Sequence, residues 1–449
     1  MAKKSRLGRM MRLGGLTSKV SSSYLGQRIT GAFQKEEQRK ESLYKTHLKN
    51  AERVVDAMSV LKGAAMKVGQ SLSVLADSMD IPEEVSQILG KLHDRAKAIP
   101  YEEIEPVVLK ELGRDVSEVF SRIDSEPLGT ASLAQAHAAW LLDGTPVVIK
   151  VLHEGVEHSV DTDLTALKSI LVAGRFFKRS KEEIDLIFNE VRERLLEELD
   201  YTKELQNLVY FHRIFSDIEG LSAPKPVPEL STKRILVMER MVGMNLDDFV
   251  NTATSQAKQR AGDILTRAFH EQVYVYRSLH ADPHGGNFLF APDGSVGFID
   301  FGCVKRFDEY FIGDYGRIAN HLVDGNRSEM IALAKKMEML NSDSPEAADA
   351  LWDFGEIIAQ PFRQGDYHAG AEGDRLMDDI RSAGHKIIKF GEIRAPRDLI
   401  FLHRSLIGIY SMLRRLSHKS NYEEIRRRYT AHAIDVVEGR VLDRGWNEA

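Results

Sequence analysis

At 449 residues, 43% hydrophobic and 29% charged, the chain has the composition of an ordinary globular protein and room for two or more packed units. This excludes a mainly disordered, collagenous or membrane-embedded protein. Its one cysteine, Cys303, excludes an internal disulfide and any cysteine-cluster metal site, and points to a reducing compartment.

Charge is uneven. Residues 1–35 carry Lys3, Lys4, Arg6, Arg9, Arg12, Lys19, Arg28 and Lys35 with no acid, so a net charge of −6 leaves −14 for the remainder. That start lacks the apolar block of a secretory signal. It reads first as a solvated basic arm, then as a segment for an anionic membrane surface, and last as a mitochondrial presequence, which its arginines and serines resemble. No stretch reaches the roughly 18 uninterrupted apolar residues of a membrane span. Leu399 to Leu416 is broken by His403, Arg404, Arg414 and Arg415. The expected location is cytoplasmic, with peripheral contact to an inner membrane allowed and a mitochondrial setting disfavoured; nucleic acid is not expected as a partner.

Residues 36–120 read as a helical extension. Val54, Val55, Met58, Leu61 and Ala65 recur at helical spacing, as do Val85, Ile88, Leu89 and Leu92, and Gly113 marks a stop after Ile104, Val108 and Leu112. Near residue 127 the texture changes. Gly129, Thr130, Ala131 and Ser132 lead to the strand Pro146 to Val151, preceded by an Asp143-Gly144 turn. Helical spacing returns at Ile184, Ile187, Val191 and Leu195, and a strand from Arg234 to Glu239 runs to Gly243. Beyond Leu246 the chain reads as helical, interrupted by a hairpin of Phe288-Leu289-Phe290 and Val296 to Ile299 about a Pro292-Asp293-Gly294 turn. The expected domains are a basic segment 1–35, a helical extension 36–120, a sheet-bearing lobe 121–243 and a helical lobe 244–449. The fold class is α+β, with the outline of a protein-kinase-like two-lobed fold whose C-lobe is mainly helical.

Phosphoryl transfer from ATP needs a cation on the phosphates, oxygen ligands for Mg²⁺ and a group that positions the acceptor. Asp300-Phe301-Gly302 follows a strand, where an aspartate can ligate metal. Asp282, in His280-Ala281-Asp282-Pro283-His284-Gly285-Gly286-Asn287, precedes Asn287 by five residues and Asp300 by eighteen. Those intervals match the catalytic loop and metal aspartate of protein kinases. Asp282 and Lys150 are the candidate catalytic residues, and Asn287 and Asp300 the candidate Mg²⁺ ligands. His280 and His284 read as structural histidines. Lys150 closes a Val-Val-Ile strand, the pattern whose ammonium reaches the α and β phosphates, and a lysine in a cleft needs a carboxylate partner. Glu198 and Glu204 both remain open for that role. On a helix at 100° per residue Asp200 and Glu204 share a face that Glu198 leaves. In place of a glycine-rich phosphate loop, the position read as preceding the first strand holds Gly129, Thr130, Ala131 and Ser132, followed by Gln135 and His137. These four residues and Met238 are assigned with Lys150 to ATP binding.

Together these residues resemble the UbiB family of atypical protein-kinase-like proteins, which includes coenzyme Q biosynthesis kinases. Lys67-Val68-Gly69-Gln70 matches its K-x-G-Q motif and Glu198-Leu199-Asp200 its E-x-D motif. Ala131-Ser132 with Gln135 and His137 resembles its Ala-rich loop, though Gly129 and Thr130 stand where alanines are usual. The resemblance implies ATP and Mg²⁺ as cofactors, Lys150 on phosphate with Glu204 as its partner, and regulatory roles for Lys67 and Gln70, in an extension that covers the cleft against protein substrates, and for Glu198 and Asp200, the pair that this extension contacts. It implies an atypical kinase or ATPase supporting ubiquinone or other isoprenoid lipid metabolism, with such a lipid or quinone precursor as a partner. The competing expectations are a small-molecule phosphotransferase of the aminoglycoside or choline kinase type, and a non-catalytic nucleotide-binding scaffold.

Overall fold

The computed structural model describes residues 98–446 apart from 132, 157–159, 162–163, 166–167, 170–171, 173–180, 364 and 388–389, together with isolated positions between 22 and 49. The K-x-G-Q motif, with Lys67 and Gln70, and Ser132 lie outside the described residues. The chain divides into two compact units. The first contains the described residues up to Leu205 together with Pro226–Arg240; the second contains Gln206–Lys225 and everything from Met241 onward.

In the first unit, helix α1 (Tyr101–Leu112) begins with Glu102 and Glu103 and ends with Lys110, charges that oppose the helix dipole. Gly113 closes it at φ 66°, its N–H donating to the Leu109 carbonyl at 3.0 Å. Four strands follow: β1 (Phe120–Thr130), β2 (Ala134–Leu141), β3 (Pro146–Leu152) and, after further helices and a short strand, the edge strand Ile235–Glu239. They form one antiparallel sheet in the order β1, β2, β3, Ile235–Glu239. Alternation along β3 sends Val147, Ile149 and Val151 into a core with Ile104, Val107 and Val108 of α1 and with Ile235 and Val237. β1 begins at Phe120, ahead of the change of texture read near residue 127. Its register shifts around Pro127 and Gly129 break the alternation that would have revealed it.

Helix α2 (Lys181–Glu198) stops where the chain bends at Leu199 and Asp200, and α3 (Tyr201–Phe215) starts afresh. The second unit then contributes β4 (Leu221–Ser222), and the edge strand of the first sheet is β5 (Ile235–Glu239). Helices α4 (Leu246–Thr252) and α5 (Ser255–His270) lead through a π-helical turn at Glu271–Val275 to β6 (Ser278–His280). The predicted hairpin is β7 (Phe288–Phe290) against β8 (Val296–Phe298), with β4 added parallel to β8, and β6 pairs with β9 (Val304–Arg306).

The rest is helical: α6 (Glu309–Asp324), α7 (Arg327–Lys336), α8 (Pro345–Ala359), α9 (Leu376–Ile387), α10 (Arg397–Leu416) and α11 (Tyr422–Val437). A two-stranded ribbon of β10 (Asp366–His368) and β11 (Lys419–Asn421) is set among them. A core of Ile318, Met330, Ala334, Leu340, Ala347 and Leu351 joins α6, α7 and α8. Among the described residues no helix is long and apolar enough to cross a membrane. The α+β expectation is met.

Candidate active-site clusters

The first unit holds an ion pair. Opposite residues of an antiparallel pair share a face, so the register Lys150↔Leu236 and Val148↔Met238 puts Lys150, Leu236 and Met238 on the sheet face away from the α1 core. There Lys150 Nζ donates to Glu204 Oε1 at 2.6 Å, with side chains only 14% and 10% exposed. Between the two glutamates left open by sequence, the structure pairs Lys150 with Glu204.

The helical wheel relating Asp200 to Glu204 is corrected, because the bend at Leu199 and Asp200 separates α2 from α3. Asp200 lies just outside α3, and its Oδ1 accepts from Thr202 N at 3.1 Å and Thr202 Oγ1 at 2.5 Å. Glu198 is the last residue of α2.

The loop assignment needs a correction. Gly129 and Thr130 end β1 and pair with Ala136 and Gln135, so the turn lies between the first two strands rather than before the first. Ala131 N donates to Ala134 O at 2.8 Å across that turn. Gly129, Thr130 and Ala131 are exposed, and a Cβ at Gly129 would touch nothing within 4 Å. Gln135 and His137, both 1% exposed, stand opposite Val151 and Ile149 on the core face, away from Lys150. Gln135 exchanges hydrogen bonds with the backbone of Ile99, and His137 Nδ1 donates to Asp124 O at 2.9 Å. They anchor the segment entering α1.

The second unit holds the acidic cluster. β6 delivers Asp282, and β8 delivers Asp300. His280, 3% exposed, ties the two segments: its backbone N–H donates to Gln272 Oε1 and its Nε2–H to the Asp300 carbonyl, each at 2.8 Å. Phe288, Phe298 and Phe301 surround its ring. The structural reading of His280 is thus realised in a role that fixes the site. His284 accepts from Gly286 N at 3.2 Å and shapes the turn into Asn287. Asn287 Nδ2 donates to the Asp282 carbonyl at 2.9 Å and to Asp282 Oδ2 at 3.2 Å. Asp300 Oδ1 accepts from Gly302 N at 3.1 Å, and Phe301 is buried against Phe211.

Among the described residues no group of three or more His, Cys, Asp or Glu forms a metal cage. Two carboxylates and an amide oxygen suit a hard cation that keeps waters and takes phosphate oxygens, as Mg²⁺ does.

Two residues here escaped the sequence reading. Asn207 of α3 donates to the Phe301 carbonyl at 3.0 Å and accepts from Arg306 Nη2 at 3.0 Å, fixing the backbone beside Asp300. Arg404 of α10 donates through Nη2 to Asp282 Oδ1 at 2.7 Å. Arg404 was visible only as a charge interrupting an apolar helix, 122 positions from its partner.

The helical unit also encloses an apolar cavity of about 260 Å³, lined among others by Phe269, His270, Tyr315, Phe354, Ile358 and His403. Burial pushes the His270 and His403 imidazoles down to about 4, so both are neutral at pH 7. Burial likewise raises the Tyr315 phenol.

The ABC1 atypical kinase-like domain matches residues 91–334, more than half of the chain. The chain belongs to this family, the UbiB family of atypical kinases. It is an enzyme of the phosphotransferase class. The Saccharomyces cerevisiae protein named Atypical kinase COQ8, mitochondrial, is 27% identical over 92% of this chain and 82% of its own length. The AarF domain-containing protein kinase 1 of Xenopus laevis is 31% identical over 65% of this chain and 56% of its own length. A Mycobacterium tuberculosis protein solved in complex with erythromycin superimposes with a TM-score of 0.58 over 88% of this chain and 98% of its own, at 22% identity. That likeness shows the kinase-like fold.

The relatives also correct the location. Those from Saccharomyces cerevisiae, Caenorhabditis elegans, Rattus norvegicus and Schizosaccharomyces pombe are named mitochondrial, which overturns the cytoplasmic expectation and points to a mitochondrial setting. An acid-free, arginine-bearing start has the same composition in a solvated arm as in a presequence, so charge alone cannot choose between them.

Proposed function

We propose that the chain binds ATP with Mg²⁺ and transfers or hydrolyses its γ-phosphoryl group in support of ubiquinone or other isoprenoid lipid metabolism. The observation that carries this reading is the tie made by His280 between the segments bearing Asp282 and Asp300, with Asn287 bonded to Asp282. Three oxygen-bearing side chains on a braced backbone are what a metal-assisted phosphoryl transfer requires. Asn287 and Asp300 would hold Mg²⁺, which when bound screens the phosphate charge. Lys150, oriented by Glu204, places a cation on the α and β phosphates. Gly129, Thr130, Ala131, Ser132 and Met238 complete the nucleotide contacts. Asp282 orients the acceptor oxygen and receives its proton.

Lys67, Gln70, Glu198 and Asp200 restrict access by protein substrates, and the proposed domains remain 1–35, 36–120, 121–243 and 244–449. An apolar partner is supported by the cavity with its neutral histidines, and by relatives whose printed name is COQ8. The basic start supports peripheral contact with anionic membrane.

The test is Mg²⁺-dependent ADP release by the full chain, wild type beside Asp282→Asn. The reading expects the substitution to lower turnover by about 100-fold or more. Equal turnover in the two proteins would contradict it and favour a non-catalytic scaffold.

A further inference from the structure

Four observations converge on α10. Arg404 Nη2 donates to Asp282 Oδ1 at 2.7 Å, while Asn287 Nδ2 donates to the other oxygen, Oδ2, at 3.2 Å. Both oxygens of the catalytic carboxylate are therefore engaged. Gly408, one turn after Arg404 and so on the same helix face, meets the neighbouring residue of the loop: a Cβ there would lie 2.3 Å from Pro283 Cγ. Leu402, Ser405 and Ile409 of the same helix are buried. Lys305 Nζ pairs with Asp398 Oδ1 at 2.5 Å near the helix start. The helix is thus set in register along the catalytic loop, with a glycine where it must come close and an arginine where the carboxylate is.

We infer that Arg404 is a specificity-determining residue that gates the acceptor position of Asp282. The inference rests on the reading of Asp282 as the acceptor-orienting carboxylate. In transfer to an alcohol, the acceptor oxygen bonds to the γ-phosphorus, and the bond from that phosphorus to the β,γ-bridging oxygen breaks. ADP leaves with that oxygen, and the hydroxyl proton passes to Asp282. A guanidinium has five donors and is not deprotonated in proteins, so it holds Oδ1 without ever offering it as a base. An alcohol must displace Arg404 or crowd beside Asn287 at Oδ2. Water, with no carbon substituent, fits the remaining space more readily. Arg404 accordingly biases the site toward hydrolysis and against bulky hydroxyl acceptors. Because the side chains of Arg404 and Asp282 are 42% and 38% exposed, the pair opens readily and the bias is adjustable rather than absolute.

The experiment uses the full chain with Mg²⁺ and γ-labelled ATP. Labelled inorganic phosphate, labelled glycerol phosphate at high glycerol, and self-labelling are measured together for wild type, Arg404→Ala, Arg404→Lys and Asp282→Asn. Arg404→Ala is expected to raise the ratio of alcohol transfer to hydrolysis about fivefold, the scale of an exposed ion pair in competition. The KM for ATP should stay within about twofold, and Arg404→Lys should return the ratio toward wild type. An unchanged ratio would overturn the gate, as would a loss of all turnover as deep as that of Asp282→Asn, which would make Arg404 a support for Asp282. If Arg404→Ala does not fold, Arg404→Met, which keeps the apolar stem, is read in the same way. Wild-type turnover in Asp282→Asn would instead refute the underlying phosphotransfer reading, so the two failures are told apart.

Discussion

Removing the charge of Glu204 perturbs a mostly buried ion pair of the first unit. At 2.6 Å and with side chains 14% and 10% exposed, the Lys150–Glu204 attraction is about 6 kcal/mol at an effective dielectric of about 20, an upper bound that desolvation largely offsets. What survives is the cost of breaking such a pair on one side only, about 3 kcal/mol. Glu204→Gln and Lys150→Met are each expected to lower the unfolding free energy by about that amount. The double variant, which buries no unmatched charge from this pair, should recover most of it. Urea denaturation followed by circular dichroism gives the double-mutant cycle, and the expected coupling, the two single losses of about 3 kcal/mol each less the roughly 1 kcal/mol the double variant still loses, is about 5 kcal/mol. Titration with Mg-ATP supplies the second readout: the double variant is expected to regain stability but not nucleotide affinity, because the cation proposed to bind phosphate is gone. A coupling below about 0.5 kcal/mol would refute the claim that the pair is buried and interdependent.

Other outcomes follow from the same geometry. Between pH 6.5 and 4 the unfolded chain protonates its histidines first, because burial holds His270 and His403 at about 4 in the fold. Their stabilising share is complete above about pH 6.5 and is lost as pH falls toward 4, by at most about 3 kcal/mol each. His403→Phe should flatten the slope of urea midpoint against pH in that window, and an unchanged slope would argue against the effect. Gly408→Ala places a Cβ 2.3 Å from Pro283 Cγ. It should cost about 1–3 kcal/mol in thermal or urea unfolding; a neutral result would mean that α10 is not held closely against the loop. Asn207→Ala removes the 3.0 Å bond to the Phe301 carbonyl. It is expected to weaken Mg²⁺-dependent more than Mg²⁺-free nucleotide binding, measured by calorimetry, and equal losses would make Asn207 a merely structural residue. Lys67→Ala should change the rate of ADP release, and identical rates would return that lysine to a surface role.

Local chemistry was legible where it depended on near neighbours. The β7–β8 hairpin could be read from two apolar triplets around Pro292-Asp293-Gly294, and the Asp300-Phe301-Gly302 segment from its place after the second strand. Lys150 stood out because it follows the apolar run Val147-Val148-Ile149, the pattern of a phosphate-binding lysine strand. What depended on where one element ends was less legible. The bend at Leu199 and Asp200 has no glycine or proline to announce it, and a single wheel drawn through it misrelated Asp200 and Glu204. Gln135 and His137 were joined to the loop by proximity in sequence, whereas period-two geometry turns both to the core. Arg404 reaches Asp282 only through the packing of α10, which no local pattern encodes. The basic start illustrates another limit, since the same charges serve three destinations and composition does not choose among them.

The central claim, that ATP with Mg²⁺ is the ligand of these residues, is tested most directly by calorimetric titration of the full chain with ATP, with Mg²⁺ present and with Mg²⁺ chelated. Wild type is to be compared with Lys150→Ala and Asp300→Asn. The account predicts Mg²⁺-dependent binding in wild type, loss of that Mg²⁺ dependence in Asp300→Asn, and weakening of about 100-fold or more in Lys150→Ala, as expected when a charged ligand loses its partner. Binding of equal strength in all three proteins, or no dependence on Mg²⁺ in wild type, would contradict it.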